Sequence, residues 1–167
     1  ERKYHVADDY RDELLVVKMP DVRLLIVDDN EVNLLVTKGL LDIYEMQTDL
    51  AKSGKEAIQM ILEQEYDLVF MDHMMPGLDG VDTTKIIRDL DGGRYKTLPI
   101  IALTANVMSE VKEEFRNAGM DDFLGKPIDP VELDHILHKW IKKKNDTDIN
   151  KKQTTFNPSP IVIEEAI

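Results

Sequence analysis

Cysteine is absent from the 167 residues, which excludes a disulfide framework and any thiolate metal site and fits a reducing compartment. An excess of positive charge is absent too. The formal net charge is −12 at pH 7, the wrong sign for a surface that holds phosphate backbones through Lys and Arg. No apolar run is long enough to span a bilayer, and the N-terminus carries no signal-peptide pattern. The expected setting is therefore the cytoplasm, with neither nucleic acid nor membrane contacted through this segment. There is no internal repeat. The chain opens on Glu1 rather than Met, which reads as a piece of a longer parent, itself free to be membrane-attached.

A hydrophobic content of 43% is enough for one domain with a real core, plus tails. Residues 1–20 mix charges with a short apolar run, Leu14–Val17, and read either as a connector or as a poorly ordered terminus. From Val22 the chain alternates short apolar runs with helical patterns. Val22–Val27, a weaker Glu45–Leu50, Leu68–Met71, Leu98–Leu103 and Phe123–Leu124 are the expected strands. Between them, Asn30 is placed to cap a helix carrying Val32, Leu35, Val36 and Leu40, and Ser53–Glu56 has capping-box spacing before a stripe of Ala57, Ile58, Ile61 and Leu62. Gly80 leads into a helix with Ile86, Ile87 and Leu90. Ser109–Glu110 starts another, closed by Gly119. Asp129, Pro130 and Glu132 sit as cap, first and third positions of a last helix with Leu133, Ile136, Leu137, Trp140 and Ile141. Five strands alternating with five helices imply a doubly wound α/β fold with a parallel sheet covered on both faces. The domain is expected over 21–142. Residues 143–167, with Asn157–Pro158–Ser159–Pro160, have linker composition, and Ile161–Ile167 looks like the lead-in to another folded unit, such as a histidine phosphotransfer domain.

In a parallel sheet every strand presents its carboxyl end on one edge, where ligands bind in open α/β folds. The residues at the ends of strands one, three, four and five are Asp28 and Asp29, Asp72, Thr104 and Lys126. Taken singly, Asp72 reads equally well as the start of a turn, Asp28–Asp29 as a helix-capping acidic pair, Thr104 as a turn residue and Lys126 as a surface lysine. Together they converge. Three carboxylates repel unless a hard divalent cation joins them, and with Mg2+ and Lys126 the formal charges cancel, leaving room for an anionic phosphoryl group. Phosphoryl transfer needs a placed nucleophile, a metal and donors to the equatorial oxygens, and an aspartate can serve as that nucleophile.

The segments Val27–Asp28–Asp29–Asn30, Met71–Asp72 with Met75–Pro76–Gly77–Leu78–Asp79–Gly80, Leu103–Thr104–Ala105 and Lys126–Pro127 resemble the receiver domain of two-component response regulators, over about Val22 to Ile141. The wording is closest to receivers attached to hybrid sensor histidine kinases. The resemblance implies a flavodoxin-like sheet in the order 2-1-3-4-5 and Asp72 as phosphoacceptor. It implies Mg2+ (or Mn2+) held by Asp28, Asp29, Asp72 and the backbone carbonyl of Met74. Thr104 and Lys126 would hold the phosphoryl oxygens, and Phe123 falls where the family has a rotating aromatic. The implied partner is a histidine kinase or a histidine phosphotransfer domain. The switching surface is the fourth helix, fifth strand and fifth helix, which is also the expected face for a homodimer. On this reading the chain labels and unlabels itself and is not a turnover enzyme.

The rival is a haloacid-dehalogenase-like phosphatase, which also uses an Asp nucleophile but places a second carboxylate two residues later; here that position is Met74. A dinucleotide-binding fold needs glycines in its first turn, where this chain has Asp28–Asp29–Asn30. His73 follows Asp72 directly, and strand alternation directs it away, arguing against a role in the chemistry. His73 and Met74 occupy positions that vary in the family. His135 and His138 read as part of a solvated helix face, with no metal-ligand spacing between them.

Overall fold

The computed structural model describes residues 16–153. The expected connector up to residue 15 and the tail beyond 153, with its Pro-containing stretch, lie outside the described residues. Five strands, β1 (Arg23–Val27), β2 (Gln47–Ala51), β3 (Leu68–Asp72), β4 (Ile100–Thr104) and β5 (Asp122–Gly125), alternate with five helices. These are α1 (Glu31–Asp42), α2 (Gly54–Glu63), α3 (Gly80–Asp89), α4 (Ser109–Ala118) and α5 (Pro130–Gln153), with a short 3-10 turn at Leu90–Gly93. The strands form one parallel sheet in the order β2-β1-β3-β4-β5. This is the doubly wound, flavodoxin-like architecture expected above.

Every residue of β3 and β4 is buried, as continuous apolar runs in a sheet covered on both sides require. Successive side chains go to opposite layers. Leu25, Val27, Val69, Met71, Ile100 and Ala102 meet Ala57, Ile61, Val81, Ile87 and Phe115 on the α2–α3–α4 side. Leu24, Ile26, Phe70, Ile101 and Leu103 meet Leu34, Leu41, Leu133 and Leu137 on the α1–α5 side. The anticipated caps are present: Asn30 accepts from the backbone N–H groups of Val32 and Asn33, Ser53 from Glu56, and Asp129 from Val131 and Glu132.

Two expectations change. Most of the apolar set read on α1 is not its core face: Val32, Leu35 and Val36 are 67%, 59% and 58% exposed and only Leu40 of the four packs against the core, while Leu34, Thr37 and Leu41 are buried. The phase follows from packing, since Leu34 and Leu41 are the ones that meet the sheet, and the start of the helix is compatible with it: Asn30 caps it and the Asn33 amide turns toward Asp28 at 3.5 Å. On α2 the stripe holds at Ala57, Ile58 and Ile61, and only Leu62 turns out exposed. The second change concerns the ends. Val16 and Met19 pack against the α1–α5 core, and the Met19 N–H donates to the Tyr44 carbonyl at 2.7 Å, so the last residues of the expected connector join the domain. At the other end α5 continues as one helix to Gln153, past the boundary expected at 142. Among the described residues, no helix is long and apolar enough to cross a membrane.

Candidate functional site

The sheet brings the strand-end residues together by register. Val27 lies opposite Met71, so Asp28 and Asp72, one step further along each strand, emerge side by side. Both are almost fully buried, at 1% and 5% exposure, whereas Asp29 is exposed. An oxygen from each of the three carboxylates falls within 4.8 Å of the others. Lys126 reaches in from the end of β5 and bridges the buried pair, its Nζ 3.0 Å from Asp28 Oδ2 and 2.6 Å from Asp72 Oδ1. The remaining Asp28 oxygen accepts from the Asn30 N–H at 2.9 Å and so belongs to the turn that starts α1.

The backbone around Asp72 is held tightly. The His73 N–H donates to the Leu103 carbonyl at 2.9 Å, and the Gly80 N–H donates to the His73 carbonyl at 3.1 Å. At Gly80 a β-carbon would run into the Asp72 carbonyl oxygen, so only glycine lets α3 start this close to the strand end. Gly77 takes a positive φ of 75° in the intervening loop.

Burial pushes the Asp72 carboxyl above the ordinary carboxylate range, with Asp28 and Asp29 adding to the push and Lys126 pulling against it. For Lys126 burial alone would lower the ammonium, but its bonds to Asp72 and Asp28 win and hold it above its usual value. Three carboxylates and one ammonium leave the cluster two charges negative. Hard oxygen donors with no histidine or thiolate suit Mg2+ or Mn2+, so the residues present fit such an ion.

Not every residue singled out in the sequence joins the cluster. The Thr104 hydroxyl donates to the Asn106 carbonyl and accepts from the Asn106 N–H, both at 3.0 Å, which keeps it in its own loop. Its backbone carbonyl does reach the site, accepting from the Lys126 N–H at 2.8 Å. Phe123 lies on β5 with the Lys112 ammonium 4.6 Å from its ring centre. The Met74 side chain is 73% exposed, which fits an expected role for its backbone carbonyl alone. His73 does face away from Asp72, in the layer of α4, where it meets Phe115 edge-to-face at 4.7 Å. Sequence reading did not single out Phe115 or Lys112. Their one-turn spacing on α4 was the only available signal, and it does not say which strand they meet.

The comparisons with known proteins agree. The family described as "Response regulator receiver domain" matches residues 24–138. The sensor protein GacS of Pseudomonas syringae pv. syringae is 40% identical over 119 residues, 71% of this chain and 13% of GacS, so the chain spans a small part of that curated relative. Among solved structures, the receiver domain of sensor histidine kinase PA1611 from Pseudomonas aeruginosa PAO1, with a magnesium ion coordinated in its active-site cleft, is 39% identical with a TM-score of 0.66, covering 72% of this chain and 98% of that one. The receiver domain of Ssk1 from Saccharomyces cerevisiae, co-crystallised with the histidine phosphotransfer protein Ypd1, is 28% identical with a TM-score of 0.69, covering 78% and 94%. With the sheet order, the cluster at its edge and these matches in agreement, the chain belongs to the response regulator receiver domain family of two-component signalling.

Proposed function

We propose that this receiver takes a phosphoryl group from a phosphohistidine onto Asp72. The observation that carries the reading is Lys126 bridging Asp72 and Asp28, with Asp29 alongside, at the carboxyl edge of the sheet. In the transfer the bond from phosphorus to the donor histidine nitrogen breaks, the nitrogen keeps the electron pair, and a new bond forms to an Asp72 oxygen. Asp72 is buried and costly to keep ionised, so it gains by sharing its charge with an incoming electrophile. Lys126 exchanges a carboxylate oxygen for a phosphoryl oxygen, keeping its charge compensated throughout. Asp28, Asp29, Asp72 and the Met74 carbonyl would hold Mg2+ or Mn2+, which when bound supplies positive charge against the transferring oxygens. The chain cycles on itself rather than turning over an external substrate.

The donor is a histidine kinase or a histidine phosphotransfer domain in the cytoplasm. The Ssk1–Ypd1 complex supports the second, because there a related receiver meets such a partner. Exposed Val32, Leu35 and Val36, on the helix that begins at Asn30 beside the site, offer a partner helix an apolar seat. The output face is α4, β5 and α5, which also serves as the homodimer surface. The Thr104 hydroxyl leaves its loop for the phosphoryl group, and Phe123 turns into the space released; lacking a hydroxyl, Phe123 leaves no unsatisfied donor inside.

The test is labelling with acetyl phosphate or a phosphohistidine donor. Asp72→Asn is expected to abolish hydroxylamine-sensitive phosphate, and chelator to abolish it in the wild type. Asp29→Asn lowers Mg2+ affinity and the rate with it. Lys126→Arg keeps the charge but not the shape, so labelling survives while partner binding no longer responds. Stable label on Asp72→Asn, or full labelling in chelator, would overturn the assignment.

A further inference from the structure

His73 is set apart from the chemistry by strand alternation, yet its position is unusually constrained. Asp72 is registered opposite Leu103, so the next residues along, His73 and Thr104, are neighbours in the layer of α4. The backbone of His73 is pinned on both sides, its N–H on the Leu103 carbonyl and its carbonyl on the Gly80 N–H. Only its ring is left to move. That ring makes one polar and one aromatic contact: Nδ1 lies 3.5 Å from the Thr104 hydroxyl, and the Phe115 ring packs against it at 82° with centroids 4.7 Å apart. One turn before Phe115 on the same helix, Lys112 covers Phe123. A single turn of α4 therefore touches both the residue after the phosphoacceptor and the aromatic of the switch.

A hydroxyl has one proton to give and two lone pairs to fill. For Thr104 the Asn106 carbonyl takes the proton and the Asn106 N–H fills one lone pair, which leaves the second for the imidazole. We propose that His73 is a positioning residue of the switch: its ring holds the Thr104 hydroxyl in the outward position and carries that hydroxyl's departure to α4 through Phe115. When the hydroxyl moves to the phosphoryl group, Nδ1 loses its partner. The ring then re-seats against Phe115, and the turn carrying Lys112 moves with it. This rests on the receiver reading above and adds to it a residue that contacts neither phosphate nor metal.

Two variants separate the two contacts. His73→Phe keeps a ring against Phe115 and removes the nitrogen; His73→Asn keeps a polar atom near the Nδ1 position and removes the ring. The full chain is titrated with beryllofluoride, a tetrahedral phosphoryl mimic, in the presence of Mg2+, while backbone amide resonances of Ser109–Ala118 are followed. A hydroxyl released from the outward position raises the competent population, so His73→Phe is expected to bind about threefold or more tightly. Its α4 amides should also be displaced toward the bound positions before any beryllofluoride is added. His73→Asn is expected to keep wild-type affinity while losing about half or more of the α4 response. In a Thr104→Ala background the affinity gain of His73→Phe disappears, which a mere space-filler would not do. Unchanged affinity and unchanged α4 response in His73→Phe, or the same change in both variants whether or not Thr104 is present, would overturn the proposal. Failure of the wild-type chain to bind beryllofluoride would instead remove the receiver reading, and this inference with it.

Discussion

Arg88 and Lys126 are both cations wedged between elements, both reach a carboxylate, and they are built for different ends. Arg88, 12% exposed, gives Nε and Nη2 to the Gly119 carbonyl at 2.9 and 2.7 Å, Nη1 to the carbonyls of Tyr95 and Leu98 at 2.6 and 2.7 Å, and Nη2 to Asp121 at 3.0 Å. Its partners are mostly backbone. They have fixed positions and no alternative charge state, so the planar fork locks α3, the segment before β4 and the end of α4 into one joint. Lys126 has a single point charge and two carboxylates, one of them the proposed phosphoacceptor. Burial lowers the Arg88 guanidinium and Asp121 only partly opposes it, whereas acidic partners hold Lys126 up. A joint built on carbonyls is permanent; one built on carboxylates can be exchanged.

Substitutions break that contrast in order of size. Arg88→Ala takes the guanidinium donors from three carbonyls, leaving the one of Tyr95 only the Leu98 N–H, and is expected to cost about 3 kcal/mol or more in urea unfolding, with Arg88→Lys recovering little because a single nitrogen cannot reach carbonyls spread around a planar fork. If Arg88→Lys unfolds like the wild type, the fork geometry is not what matters. Lys126→Ala costs less, about 1–2 kcal/mol without metal, and Mg2+ restores it, because a divalent cation replaces the missing charge. The melting temperature of this variant should therefore rise more on Mg2+ addition than that of the wild type.

Asp122 offers a permanent carboxylate for comparison. Burial works against it, but bonds from Lys139, Trp140 and its neighbouring backbone hold its carboxyl below the ordinary value of 3.8. Asp122→Asn is expected to cost about 1 kcal/mol. The contribution is complete above the unfolded value and lost as pH falls through the lower folded one, so the difference from wild type closes in acid. Asp72 has the opposite sign. Its folded carboxyl is raised, so the folded chain binds that proton more readily and wild-type stability falls as pH rises through it. Asp72→Asn should melt slightly higher than wild type near neutrality without Mg2+, with the advantage fading on acidification; a variant that melts lower at neutral pH would mean that Lys126 outweighs the burial.

The cluster was legible in the sequence because parallel topology sends every strand end to one edge, which fixes Asp28, Asp72 and Lys126 without knowledge of any side-chain packing. The caps Asn30, Ser53 and Asp129 were legible because capping is local. The phase of α1 was not: the chain offers two apolar sets, Val32–Leu35–Val36 and Leu34–Leu41, and only tertiary contact selects between them. Alternation placed His73 on the correct side of the sheet but could not reveal Thr104 and Phe115 waiting there, since one arrives through sheet register and the other through helix docking. Lys142–Lys144 read as linker from charge, although Lys is a good helix former and α5 continues through them.

The open apolar stripe on α1 also has a colloidal consequence. Three exposed branched side chains in one patch invite copies to stick, and the net charge of −12 keeps them apart at long range while leaving the patch open to a partner that carries compensating charge. That protection depends on pH. Near the isoelectric point of about 4.7 that repulsion vanishes, and the exposed stripe of Val32, Leu35 and Val36 no longer has net charge to keep copies of the chain apart.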